Sequence, residues 1–105
     1  MRMWNISPKK MCNQHLLGEH VELHMLVGTL NKNRSIKGYI TNNLIEIHNI
    51  TKRHKEIFNE MIVRGFKHNS PLPKFKIFKA GKISKKKNKI ELMKRCKKCR
   101  KRICS

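Results

Sequence analysis

Basic residues are concentrated in the last third of this 105-residue chain. Residues 67–105 contain sixteen Lys and Arg against one acidic residue, whereas residues 1–66 contain ten against five. A long run of like charges repels itself and makes a poor core. The distribution therefore predicts a folded body over residues 1–66 and a basic, partly irregular C-terminal segment over residues 67–105.

The formal net charge of +20 indicates a polyanionic partner. Nucleic acid fits best, because binding relieves the self-repulsion of the protein and releases counterions condensed on the phosphates. A lysine-rich composition without functional meaning is the alternative. The sequence has no signal-peptide core and no apolar run near the roughly 20 residues of a spanning helix. We therefore expect nucleic acid and no membrane as the partner, and a cytoplasmic, DNA-associated protein.

Hydrophobic periodicity predicts an all-α fold of about three helices in a single domain. The first helix covers about residues 8–30 and starts at the capping pair Ser7-Pro8. The second covers about residues 43–64 and ends at Gly65, and weak helix formers near its middle predict a late start or a bend. Prolines and a short alternating segment without a strand partner follow, before a third helix over about residues 87–102.

The most unusual local feature is the sequence QHLLGEHVELH over residues 14–24. On a helix, His15, Glu19 and Glu22 lie at i, i+4 and i+7 and share one face. A solvated face with a local Glu–His pair is the simpler interpretation of this spacing. A metal site is disfavoured, because the order H-x-E-x-H turns the acid away from the two flanking histidines.

The sequence MRMWNISPKKMCNQHLLGEHVELHMLVGTL, with the later RGFKHNSPLP, resembles the pyrimidine dimer DNA glycosylases. This family contains the phage-type dimer-specific endonuclease V and shorter microbial relatives. The Q-H-L-x-x-E-x-x-E-L core carries the resemblance, which is close over the first thirty residues and looser to Leu72. Beyond that point the ELMKRC sequence is its main support. The resemblance implies a DNA repair glycosylase with abasic-site lyase activity on damaged duplex DNA.

The resemblance also implies an uncommon nucleophile, the α-amino group of the first residue, here Met1. An α-amino group has a pKa near 8, against about 10.4 for a Lys side chain, so more of it is neutral and nucleophilic at pH 7. Arg2 is a long residue, which normally prevents removal of the initiator Met, so we expect Met1 to be retained. Glu22 matches the catalytic carboxylate of the family.

Further residues match positions that contact substrate or DNA in the family. Val21 and Met25 depart from the pattern, since the phage-type enzyme has phosphate-binding arginines there, and this departure leaves the lesion preference open. The resemblance implies that Gln14 and His15 contact the substrate or order the pocket. Glu19 matches as well, either as such a contact, as a residue that orients the helix or as a partner of Arg2. Phosphate contacts are expected from Arg2, Lys9, Lys10 and the basic C-terminal segment.

A C-x-x-C pair near the C-terminus offers a possible structural zinc site. Cys96 and Cys99 would need Cys104 and either Cys12 or a histidine to complete it. Core thiols are the preferred interpretation, so no metal or other cofactor is predicted, and we expect a monomer without an obligate protein partner. The alternatives to an enzyme are a non-catalytic DNA-binding protein with the same fold and a small basic RNA-binding or ribosome-associated protein.

Overall fold

The computed structural model describes residues 2–67 and 71–105, and within these residues all regular secondary structure is helical. The all-α prediction is confirmed, and the described residues form five helices where the sequence predicted about three. Two 3-10 turns accompany them, at Pro8–Lys10 and Ile47–Asn49. The helices are α1 (Asn13–Asn31), α2 (Lys37–Thr41), α3 (Ile50–Val63), α4 (Lys85–Arg95) and α5 (Lys97–Cys104).

Helix α1 starts later than the capping pair Ser7-Pro8 predicted. Pro8 does occupy the first position of a helical turn, but that turn is the 3-10 turn, and the Ser7 side chain accepts no capping hydrogen bond. Met11 is extended and separates the turn from α1, which begins after Cys12. The apolar stripe of α1 is buried as predicted and packs against α3; its buried hydrophobic residues are Leu16, Leu23, Leu26 and Val27.

The second predicted helix also begins late. Helix α3 starts at Ile50, after the 3-10 turn, which agrees with the weak helix formers noted in this region. The short helix α2 lies between α1 and α3, where the sequence predicted no helix. Gly65 has a φ of 84°, as expected for a residue that ends a helix in the left-handed region.

The third predicted helix is two helices that meet at Cys96. This residue has φ −135° and ψ 112°, so it ends α4, and its thiol accepts the backbone N–H of Cys99 at 3.4 Å at the start of α5. Helix α5 packs against the 3-10 turn, where the Arg102 guanidinium donates two hydrogen bonds to the carbonyl of Lys9. Within the described part of the basic segment, residues 71–84 are irregular, and the residues after Ser84 lie in α4 and α5 apart from Cys96 and Ser105.

Gly81 allows the irregular segment to pass close to the chain that precedes α3. Its φ is +92°, and a Cβ atom built on it would clash with the carbonyl oxygen of Ile45. The neighbouring Ala80 carbonyl accepts the N–H of Ile47 at 2.9 Å, which holds the two segments together. Glycine is therefore required here for both conformation and space.

We expect Gly81→Ala to lower the free energy of unfolding by about 2–4 kcal/mol, because it adds backbone strain and a steric clash with the Ile45 carbonyl. Gly28→Ala in α1 is the matched control, since nothing lies within 4 Å of its added Cβ. That substitution should raise stability by about 0.5–1 kcal/mol. Urea unfolding of the two variants measures both values, and equal stabilities would contradict the close approach.

None of the described helices is both long and apolar enough to cross a bilayer.

Candidate active site

The N-terminal segment is fixed in place by backbone hydrogen bonds. The N–H of Met3 donates to the carbonyl of Leu44 at 2.8 Å. The side-chain amide of Asn88 donates to the carbonyls of Met3 and Trp4 at 3.1 and 2.9 Å, and the N–H of Trp4 donates to Glu19 at 3.2 Å. Contacts from α1, from α4 and from the segment after α2 therefore set the direction in which the chain begins.

A cavity of about 340 Å³ lies where this segment meets α1 and the end of α4. Its volume is within the range of ligand-binding pockets, about 300–1,000 Å³. Four of the predicted substrate and DNA contacts and the predicted catalytic carboxylate line it together. Its walls are formed by Arg2, Trp4, Gln14, His15, Gly18, Glu19, Glu22 and Arg95. The predicted nucleophile, Met1, lies outside the described residues.

Two arginines flank Trp4 at this cavity. The guanidinium of Arg2 lies 4.1 Å from the centre of the Trp4 ring, and that of Arg95 lies 6.0 Å from it. Arg2 also donates to the side-chain oxygen of Asn88 at 2.7 Å. Burial and the positive charge of Arg95 lower the pKa of Arg2, while Glu91 and Glu22 oppose that shift. Two cations in the wall of one cavity favour the binding of an anion there.

Glu22 and Glu19 lie one turn apart on α1 but in different environments. Glu22 is half-buried in the cavity wall. The side chain of Glu19 has no exposed surface and forms an ion pair with Arg53 of α3 at 2.6 Å, with a second guanidinium hydrogen bond at 2.9 Å. Burial raises the pKa of Glu19, and the hydrogen bonds and charge of Arg53 oppose that rise. Glu19 thus joins α1 to α3, and Glu22 is the carboxylate that substrate can reach more readily.

Lys9 and Lys10 lie apart from the cavity, in the 3-10 turn beside α5. The Lys10 ammonium donates to the carbonyl of Ser105 at 3.3 Å, and the Lys9 carbonyl accepts from Arg102. Neither lysine lines the cavity. Their expected contact with DNA would have to be made on the surface where the turn meets α5.

A second cavity, of about 460 Å³, shares the side chain of Arg2 with the first and is also lined by Asn88, which does not line the first. Lysines and polar side chains from the loop after α2 and the start of α4 complete it. The remaining lining residues are Asn42, Asn43, Lys82, Ser84 and Lys87. No carboxylate lines it, so it is suited to an anionic group such as a phosphate.

Both cysteines of the C-x-x-C pair lie close to His15, which lines the first cavity. Cys96 and Cys99 are grouped with Cys12 and His15, and their donor atoms all lie within 4.8 Å of one another. Cys104 is exposed at the end of α5 and is not a member of this group. Burial raises the pKa of Cys99 to about 12. At Cys96 burial also raises the pKa, but hydrogen bonds from Cys99 and Cys12 outweigh it, so its pKa is lowered.

Sequence reasoning missed three residues that build the site: Asn88, Arg95 and Arg53. Asn88 is buried and binds both the N-terminal segment and Arg2; a single Asn within the run KKKNK was the only available signal. Arg53 occupies an apolar position of α3, between the buried Ile50 and Ile57. A cation in a core stripe indicates a buried acid, but the sequence does not say which one. Arg95 carried no signal within its basic surroundings.

The sequence profile of the family described as pyrimidine dimer DNA glycosylase matches residues 1–74. No curated protein and no solved structure shows significant similarity to the chain. The matched part includes the whole N-terminal segment, α1 and α3. It ends before α4 and α5, which supply Asn88 and Arg95.

Proposed function

Because the chain belongs to the pyrimidine dimer DNA glycosylase family, we propose that it excises damaged bases through the amine of Met1 and then cleaves the resulting abasic strand. The observation that carries this proposal is the convergence of the N-terminal segment and Glu22 on one cavity. A terminal amine acts as a nucleophile only if the chain leads it to the substrate. Hydrogen bonds to Met3 and Trp4 give the chain that fixed direction.

The reaction begins with attack of the neutral Met1 nitrogen on C1′ of the deoxyribose. The bond from C1′ to the base breaks, and the base leaves with the bonding electrons and takes up a proton. Opening of the sugar ring then gives a protonated Schiff base between the amine and C1′. Loss of a proton from C2′ breaks the C3′–O bond and releases the 3′ phosphate. Hydrolysis of the imine finally restores the amine.

Glu22 has two roles in this scheme. Its carboxylate stabilises the positive charge that develops on the sugar as the base leaves, and it then accepts the C2′ proton in the elimination. A half-buried carboxylate suits both roles, since it is accessible to the substrate yet only partly screened by water. Glu19 is already bound by Arg53 and has no exposed side-chain surface, so we assign it to the support of α1.

Arg2 and Arg95 bind the phosphates that flank the extruded nucleotide. A glycosylase has to extrude its target because the reacting carbon is inaccessible in stacked DNA. Val21 and Met25, which stand where the resemblance predicts arginines, are about half exposed on α1 (54% and 55%) and carry no charge. The two arginines beside Trp4 replace those missing cations, and the second cavity receives a neighbouring phosphate.

Borohydride trapping tests this proposal. The protein is incubated with three duplexes that contain an abasic site, a pyrimidine dimer or no lesion, and borohydride is added to reduce any Schiff base. We expect a covalent protein–DNA adduct with the first two duplexes and none with the third. Acetylation of the N-terminus should abolish both adducts.

The pattern of adducts separates the alternatives. An adduct with abasic DNA alone would retain the lyase but overturn the excision of dimers. No adduct with either damaged duplex would overturn the enzyme and leave a non-catalytic nucleic-acid-binding protein. An adduct that survives N-terminal acetylation would assign the nucleophile to a lysine.

A further inference from the structure

We propose that Cys12, His15, Cys96 and Cys99 bind one structural zinc ion, which links helix α5 to the wall of the candidate active site. The four donor atoms lie within 4.8 Å of one another. Three thiolates and one imidazole are a set that structural zinc sites commonly use. The ligands come from the two ends of the chain, so the ion would close most of its length into one loop.

The four residues form the same local arrangement twice. Cys12 is the capping residue of α1 and His15 is the third residue of that helix. Cys96 is the capping residue of α5 and Cys99 is likewise the third residue of its helix. Each pair thus presents two donor atoms at the start of a helix, and the starts of α1 and α5 face each other.

The distances fit a tetrahedral ion. The sulfurs of Cys12 and Cys96 are 3.7 Å apart, and the Cys12 sulfur is 3.3 Å from Nδ1 of His15. In a tetrahedral centre with Zn–S bonds of about 2.3 Å, neighbouring sulfurs lie about 3.8 Å apart. The remaining donor pairs lie within 4.8 Å, so shifts of about 1 Å or less bring all four donors to the spacing of one ion.

Backbone N–H groups donate hydrogen bonds to two of the four ligand atoms. The backbone N–H of Cys12 donates to the sulfur of Cys99 at 3.2 Å, and the N–H of Cys99 donates to the sulfur of Cys96 at 3.4 Å. Hydrogen bonds of this kind orient metal ligands, and the positive ends of two helix dipoles favour their negative charge. On binding, Zn²⁺ replaces the three thiol protons, which pass to the solvent.

Helix α5 has few other interactions that would hold it against the rest of the protein. Five of its eight residues are basic, and Cys99 is its only buried residue. Little apolar surface is thus available to offset the repulsion between α5 and the rest of a strongly basic chain. A structural metal supplies the missing stability in small domains. His15 also lines the first cavity, so the ion would hold α5 and the cavity wall in one rigid unit.

A second group of possible ligands, His20, His24 and His54, also lies within 4.8 Å. It offers three imidazoles and no thiolate, and its rings lie tilted or edge-on to one another with centroids 4.8–5.2 Å apart. The Cys/His group supplies the full set of four ligands for a closed structural site, and its thiolates favour zinc over harder ions. We therefore assign the zinc to the Cys/His group, and binding of the metal to the three histidines is a result that would overturn this assignment.

Cobalt substitution and metal analysis of the full-length protein test the assignment. We expect one zinc per chain after purification without added metal. Replacement by Co²⁺ should give the intense visible bands of tetrahedral cobalt and thiolate-to-metal charge transfer in the near ultraviolet. Cys96→Ser should lose these bands, whereas Cys104→Ser, which removes the exposed fourth cysteine, should keep them.

Alkylation of the cysteines in the protein without substitutions gives a second test, which does not depend on whether a variant folds. With zinc, a thiol reagent should modify Cys104 alone, and after strong chelation it should modify all four cysteines. Equal protection of the three cysteines with and without zinc would overturn the proposal and establish ordinary core thiols. Bound cobalt without thiolate bands would also overturn it and would place the metal on the three histidines.

Discussion

Replacement of Glu22 by Gln is expected to slow strand cleavage on abasic duplex by about 10²–10⁴-fold. The amide cannot accept the C2′ proton and does not carry the negative charge that stabilises the developing oxocarbenium ion. Glu22 is half-buried in the cavity wall, so the substitution should leave the fold intact. Single-turnover kinetics with excess protein measure the effect without interference from product release.

Glu56→Gln is the matched control, because it removes the same charge from an exposed position of α3 outside the cavity. Its cleavage rate should equal that of the unmodified protein. Both variants should bind undamaged duplex with nearly equal affinity, since each changes the net charge by one unit. A Glu22→Gln variant as fast as the control would remove Glu22 from the mechanism.

Replacement of Glu19 by Gln is expected to lower the free energy of unfolding by about 3–5 kcal/mol. The change leaves the Arg53 guanidinium buried without a counter-charge, since the side chains of the pair are only 2% and 0% exposed. It also weakens the acceptor for the N–H of Trp4 and so loosens the N-terminal segment. Urea unfolding followed by the fluorescence of the single Trp measures the loss.

Glu91→Gln provides the comparison for this second prediction. Glu91 pairs with Arg95 at 2.7 Å, but the two side chains are 37% and 56% exposed. Solvent screens such a pair, so its loss should change the free energy of unfolding by less than about 1 kcal/mol. If both glutamine variants unfold at the same urea concentration, the buried pair is not what joins α1 to α3.

The sequence predicted the elements whose residues follow a regular pattern. The apolar spacing of α1 located its buried face, because one stripe of a helix has to cover the core. Gly65 marked the end of α3 for a similar local reason, since its backbone conformation favours glycine. Both features depend on residues that are close together in the sequence, so the sequence alone was enough to predict them.

The elements that were missed depend on contacts between distant parts of the chain. The break between α4 and α5 falls at Cys96, within a stretch that has neither Pro nor Gly. The break allows α5 to reach the 3-10 turn at Pro8–Lys10, and no local pattern encodes that contact. The start of α1 also lies at such a contact, since the N–H of Cys12 donates to the sulfur of Cys99 in α5.

The candidate site, like the fold, was predicted where it depends on neighbours in sequence and missed where it depends on distant contacts. The spacing of His15, Glu19 and Glu22 predicted one shared face, and all three residues line one cavity. The spacing did not show that Glu19 is buried against Arg53 while Glu22 is more accessible, because that difference depends on α3. The C-terminal segment was predicted to be basic, partly irregular and outside the folded body, yet it supplies Arg95 to the cavity wall and Asn88 to the N-terminal segment.

The identity of the amine that becomes bonded to DNA tests the central proposal most directly. After borohydride reduction, the adduct formed on abasic duplex is digested, and tandem mass spectrometry locates the modified residue. The proposed mechanism predicts a single modification, on the α-nitrogen of a retained Met1. A modification on the side chain of any lysine, or an N-terminus from which Met1 has been removed, would contradict it.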